Sequence, residues 1–330
     1  MEQSEAGAQP GRPDRQPGWL ERLRARGREA GSGGTARAPG PRVAVVTDSA
    51  AAVPGTCAAG HSQVLTVVSM PVMIDGQMYT EGTDDVETEL ALALAMGKAV
   101  RTSRPAPGQF LRTYRSLADD GFDHVVSVHL SSKLSGTVEA ARWAAGESPV
   151  PVTVVDSATV GLALGFAVMD AARAAAAGAD APTVAAIAEL ARENTIGFAV
   201  PSLDQLRRGG RIGAAASVLG TLLSVKPLLG VADGQIVVKE KVRTLPRALV
   251  RLVALAREQA GELPGGARLA VHYFGDDEQA MELANELAGS SAEPVLCQPL
   301  PAVLAAHTGA GVLAVVVAAG PAAEGPAPAA

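Results

Sequence analysis

Four short stretches of this sequence carry side chains able to do chemistry. Thr102-Ser103-Arg104-Pro105 sets two hydroxyls ahead of a proline. Ser and Thr before Pro are good caps, so a turn at the start of a helix explains part of this motif. Ser131-Ser132-Lys133-Leu134-Ser135-Gly136-Thr137 concentrates four hydroxyls in seven residues, more than capping needs. Leu206-Arg207-Arg208-Gly209-Gly210-Arg211-Ile212-Gly213 joins paired glycines, which let the backbone turn tightly, to arginines, the usual partners of carboxylate and phosphate. Arg243, closing Lys241-Val242-Arg243, can join them. His307-Thr308-Gly309-Ala310-Gly311 reads as a Gly-rich loop, and His307 is the only one of the five histidines expected in such a loop beside a hydroxyl. Each stretch alone has an ordinary alternative: a plain loop, surface arginines, a structural histidine. Together they make an inventory for binding an anion.

Two other chemistries can be built from the same residues. Ser135, His307 and an aspartate such as Asp48 could form a hydrolase triad, but no G-x-S-x-G elbow occurs. Gly309-Ala310-Gly311-Val312-Leu313-Ala314 fits a dinucleotide fingerprint, but a strand-like apolar run follows where a helix should start. No P-loop sequence is present.

The elements that must position these motifs alternate. Val43–Val46 is a continuous apolar run ended by Thr47-Asp48-Ser49, which predicts a buried strand and a capped turn. Val64–Val68, Asp123–Leu130, Val152–Asp156, Ile196–Val200 and Arg268–Phe274 read the same way, and Gln235–Val242 as an alternating strand. Helical patterns fall at Glu87–Met96, Phe110–Ala118, Val138–Ala145, Gly161–Ala177, Thr183–Asn194, Pro246–Ala260 and Asp276–Ala288, with a small-residue helix after Arg211. Such alternation implies βαβ units and a largely parallel sheet. Ser131–Thr137 then lies between the carboxyl end of a strand and the start of a helix, where backbone N–H groups and the helix dipole favour an anion.

Composition narrows the class. Hydrophobic residues make up 48% of the 330 but aromatics only 3%, so Ala, Val and Leu must build the core. A net charge of −6 argues against a nucleic-acid partner. The two cysteines, Cys57 and Cys297, are too few and too far apart for a disulfide framework or a zinc site, which fits a cytoplasmic protein. No run approaches the ~20 apolar residues that span a bilayer; Gly161–Ala177 is interrupted by Asp170 and Arg173. Residues 1–41, rich in Gly, Pro, Arg and Gln, lack the apolar core of a signal peptide and are expected to be a disordered extension, with a short basic segment at Trp19–Arg28. Expected domains are 42–195 and 196–319, with a disordered tail at 320–330.

From about Arg42 to Ala318 the chain resembles the DegV family of fatty-acid-binding proteins. Asp48-Ser49, Thr102–Pro105, Ser131–Thr137, Asp156-Ser157, Arg208–Ile212, Lys226-Pro227, Lys241–Arg243 and His307–Gly311 match its motifs in the family's order, with Ser131–Thr137 the most specific. Ala310 stands where the family usually has proline, and the N-terminal extension has no family counterpart. The resemblance implies a two-domain α/β fold: a Rossmann-like, mostly parallel N-terminal sheet with flanking helices, a smaller second α/β domain, and the ligand between them. It implies a long-chain fatty acid as ligand and no other cofactor or metal. Thr102, Ser103 and Ser135 would hold the carboxylate, with Ser131, Arg211 and His307 at the same site. It also implies a partner, a nucleotide-binding kinase subunit that phosphorylates the presented carboxylate for phospholipid synthesis, with Arg243 and His307 supporting the transfer. The chain itself would be no enzyme, and a monomer is expected.

Overall fold

In a computed structural model, which describes residues 42–213, 215 and 226–320, the apolar runs become buried strands. β1 (Val43–Asp48) is buried at every position. It lies between β2 (Leu65–Val68) and β6 (His124–His129), with β7 (Val152–Asp156) beyond, in a four-stranded sheet of order β2-β1-β6-β7 that is parallel throughout. Helices α3 (Pro107–Asp119) and α4 (Thr137–Gly146) cover one face through Phe110, Tyr114, Ala140, Ala141 and Ala144. α5 (Leu162–Ala176) and α6 (Ala181–Glu189) cover the other. Pure-parallel sheets are buried on both faces, which is why these strands read as unbroken runs rather than alternations.

The second sheet differs from the expected parallel pattern. Its order is β10-β9-β8-β13-β11-β12, drawn from β8 (Thr195–Ala199), β9 (Lys226–Ala232), β10 (Gln235–Val242), β11 (Ala267–Phe274), β12 (Leu296–Pro299) and β13 (Val312–Ala319). Only the β11–β12 pair is parallel. Val312, Ala314, Val316 and Ala318 of β13 face the core shared with α5, while Leu313, Val315 and Val317 face α8 (Leu245–Glu262) and α9 (Asp277–Leu287). α5 is thus sandwiched between the two sheets, in five layers of α, β, α, β and α.

A third sheet was not expected at all. β3 (Pro71–Ile74), β4 (Gln77–Thr80) and β5 (Val100–Thr102) pair antiparallel in the order β4-β3-β5. α2 (Val86–Ala95) packs on it. The strands are only three or four residues long, too short to show a period. The signal that could have found them is Asp75-Gly76, both at positive φ (51° and 86°), the turn that tight hairpins require. Asp233-Gly234 does the same between β9 and β10.

Two short helices, α1 (Gly55–Gly60) and α7 (Asp204–Arg208), and α10 (Ala302–Thr308) complete the described α-helices. The residues before Arg42, the Trp19–Arg28 segment, the tail after Gly320 and all but Ala215 of the helix expected after Arg211 lie outside the described residues. No helix among the described residues is long and apolar enough to cross a membrane.

Candidate functional site

The Ser131–Thr137 loop leaves β6 at its carboxyl end, beside the end of β1. It folds back at once: the Leu134 and Ser135 N–H groups donate to the Ser131 carbonyl at 3.0 and 3.1 Å. α4 then starts at Thr137, whose hydroxyl pairs with that of Ser135 at 2.9 Å and fixes its direction. Gly136 between them lies against Arg104, whose guanidinium would stand 2.5 Å from a Cβ at that position. The two hydroxyl motifs therefore meet across a glycine. Thr102 ends β5 and reaches the other way, its hydroxyl 2.7 Å from His307 Nε2.

His307 corrects an expectation. It lies not in a loop but in the last turn of α10, because Ala302-Val303-Leu304-Ala305-Ala306 are helix-compatible and the chain leaves the helix only at Gly309, at φ 82°. Its Nδ1 edge rests against Gly209, where a Cβ would approach to 2.3 Å. From the same Gly209-Gly210 turn, Arg211 donates through Nε to the Leu134 carbonyl at 3.1 Å and through Nη1 to the Gly209 carbonyl at 2.6 Å. Burial, reinforced by the Arg211 charge, holds the His307 imidazole down at about 4, so it is neutral at neutral pH. A neutral imidazole can either accept the Thr102 hydroxyl proton or donate its own to it.

These groups border a cavity of about 90 Å³. Thr102, Ser103, Ser135, Arg211 and His307 line it, joined by Arg104 and Thr308, which sequence reasoning did not single out. The rest of the wall is apolar. Ile196, Phe198, Val231, Ile236, Val312 and Ala314 come from one face of the six-stranded sheet, with Leu130, Leu134 and Val303 opposite. Strand alternation explains why this lining was hard to foresee: only every second residue of each strand faces the cavity, and seven elements contribute besides loops.

Two expected site residues lie elsewhere. Ser131 is fully buried and does not line the cavity; its hydroxyl donates to the Gly234 carbonyl at 2.7 Å and accepts from Lys133 N–H at 3.2 Å. Arg243 is exposed just past β10 and is not part of the lining.

The alternative triad does not assemble, because Asp48 is committed to a different histidine. Its carboxylate accepts from Ala50 N–H and Leu130 N–H, both at 3.1 Å, and lies 2.9 Å from His129 Nδ1. His129 Nε2 is 2.7 Å from the Ser127 hydroxyl, which is 2.8 Å from that of Tyr114. This acid–imidazole–hydroxyl chain has the order of a hydrolase triad, yet all four side chains are completely buried and none lines the cavity. Its effect is to tie the ends of β1 and β6 together below the Ser131–Thr137 loop. The dinucleotide alternative also lacks its helix, since Val312 opens β13. Among the described residues no cluster of three or more His, Cys, Asp or Glu could hold a metal ion.

Comparison with known proteins agrees with this fold. The DegV family, described as uncharacterised proteins, matches residues 42–320. A DegV domain-containing protein of Streptomyces coelicolor is 42% identical over 278 residues, covering 83% of this chain and 98% of its own length. Among solved structures, a fatty-acid-binding DegV family protein from Thermus thermophilus superposes with a TM-score of 0.78 at 34% identity, over 84% of this chain and 99% of that one. DegV of Bacillus subtilis, described as a fatty acid binding protein, gives 0.75 at 29% identity, over 84% and 99%.

Proposed function

The chain belongs to the DegV family, and on that premise we propose that it binds one long-chain fatty acid and presents the carboxylate to a nucleotide-binding kinase subunit. The observation that carries the reading is the cavity, an apolar hollow with a single group of hydroxyl, imidazole and guanidinium side chains in its wall. An acyl chain of about 15 methylenes gains roughly 0.8 kcal/mol each on burial, or about 12 kcal/mol gross. Association and carboxylate desolvation each cost several kcal/mol against that. A carboxylate enters such a slot only where donors await it. Thr102, Ser103 and Ser135 supply hydroxyls, and Arg211 and His307 supply charge and a polar edge. In this reading the acid lies between an α/β domain at 42–195 and a second at 196–319. The phosphate donor comes with the partner, in the cytoplasm, and Arg243 at the outer end of β10 faces that partner while His307 faces the carboxylate. The chain acts as the substrate-presenting member of the pair.

Extraction of the purified recombinant protein followed by mass spectrometry tests this directly. About one acyl chain per protein is expected, together with saturable binding of a fluorescent long-chain fatty acid after delipidation. Protein free of acyl lipid that also fails to bind the fluorescent acid overturns the reading.

A further inference from the structure

Ser49 of the Asp48-Ser49 turn takes no part in the cavity lining, and its partners explain its place. Its Oγ accepts the N–H of Met70 at 3.1 Å and stands beside the carboxylate of Glu81. Glu81 directly follows β4, with its own carbonyl held by the Ser69 hydroxyl at 3.1 Å. The Glu81 carboxylate in turn accepts through Oε1 the backbone N–H of Ala302, the first residue of α10. α10 has no side-chain cap of its own, because Pro301 occupies the cap position. A seven-residue helix is far too short to hold itself together, and its first N–H groups need acceptors. Glu81 supplies one from 221 positions earlier in the chain.

The other end of the same helix is held by the same small sheet. β4 leads into Glu81 at the start of α10, and β5 ends in Thr102, bonded to His307 in its last turn. Val303, Leu304, His307 and Thr308 of α10 all line the cavity, as does Met70 on the Ser49 side. We propose that Glu81 is a positioning residue for the carboxylate site: by capping α10 it sets where His307 stands relative to Thr102. The proposal rests on the fatty-acid reading above. Burial pushes the Glu81 carboxyl above the usual carboxylate range, while the Ser49 hydroxyl and the N–H groups of Ala302 and Val303 pull against that shift. One carboxylate oxygen, Oε2, is buried without a partner among the described residues. A carboxyl group in this setting provides what an apolar residue there could not, an acceptor for the first N–H of α10.

The test compares Glu81→Ala and Glu81→Gln with wild type by NMR titration of the His307 imidazole in ligand-free protein, fluorescent fatty-acid affinity, and thermal unfolding. Glu81→Ala is expected to move the His307 titration upward from about 4 by about one pH unit, as burial is relaxed. Affinity should weaken about tenfold. Glu81→Gln retains a carbonyl acceptor and is expected to restore both to within about threefold of wild type. If Glu81→Ala only lowers the unfolding temperature and leaves the His307 titration and the affinity unmoved, the contact is structural and the proposal fails. Should Glu81→Ala not fold, Ser49→Ala, which removes the hydroxyl beside the carboxylate, must shift the His307 titration in the same direction, and no shift overturns the proposal. The titration needs no ligand, so it is decided separately from whether wild type binds fatty acid.

Discussion

At the scale of single residues, the site works by giving each polar group a defined direction. The Ser135 hydroxyl is oriented by Thr137, the Thr102 hydroxyl by His307, and the Arg211 guanidinium by two carbonyls. Thr102→Ala and Ser135→Ala should each weaken fatty-acid binding by roughly 1–3 kcal/mol, the usual cost of leaving a buried acceptor unpaired. The matching fatty alcohol, which has no charge to satisfy, should lose much less; equal losses for acid and alcohol would show that the hydroxyls only hold the fold. Arg243→Ala separates presentation from binding. With Arg243 outside the lining, affinity should stay within a few-fold of wild type, while acyl phosphate formation with a kinase subunit and ATP falls at least about tenfold. Unchanged phosphorylation would remove Arg243 from the transfer role.

At the scale of elements, the close approach of backbones decides which substitutions the fold accepts. Gly165 lies inside α5, where Ala would ordinarily gain about 1 kcal/mol in helix propensity. Here a Cβ would stand 2.3 Å from the Ala51 carbonyl, on the short turn that follows β1. Backbone cannot swing aside as a long side chain can, so α5 would have to move off that turn. Overpacking of this kind typically costs 1–3 kcal/mol. Gly165→Ala is therefore expected to destabilise the protein in a urea titration, against the propensity scale, and stabilisation would mean that α5 does not pack on the turn as described. The same element explains why Asp170 and Arg173 interrupt an otherwise apolar helix. Asp170 forms a two-pronged ion pair with the buried Arg268 of β11, at 3.0 and 2.5 Å, linking α5 to the second sheet. The guanidinium also sits 4.7 Å above the Phe166 ring.

At the scale of the whole molecule, one core running through both sheets makes the protonation of buried groups a property of the entire fold. His272 is wholly buried with its Nε2 accepting the Leu162 N–H at 3.0 Å, and burial holds it at about 4. His307 stands at about 4 as well. Unfolded, both return to the ordinary value near 6.5. The unfolded chain then binds more protons than the native one between pH 6.5 and 4, so stability is fully present above 6.5 and is lost as the pH falls through that window. Two such groups give a slope of at most about 2.7 kcal/mol per pH unit. Glu81, whose carboxyl is raised, offsets part of this by taking up its proton early in the native state. Urea unfolding at pH 7 and pH 5 should show the loss, and His307→Gln should remove roughly half of it. An unaltered pH dependence in that variant would mean His307 titrates normally in the fold.

The sequence by itself determined the parts that depend on local order. Unbroken Val and Ala runs require strands buried on both faces, the hydroxyls of Ser131–Thr137 sit where a strand hands over to a helix, and the succession of motifs identifies the family. Asp75-Gly76 was legible too, and with it the small sheet, for a reader weighing turn chemistry above strand length. Tertiary structure alone decided which groups meet. His307 pairs with Thr102 across 205 positions, Glu81 caps α10 across 221, and Asp48 turns to His129 instead of to the cavity. Ser131, chemically the equal of Ser135, points the other way to Gly234. The physical reason is that period and capping are set by residues within a turn or two of each other. The direction of a hydroxyl is set by whichever acceptor the packing of distant layers brings within about 3 Å.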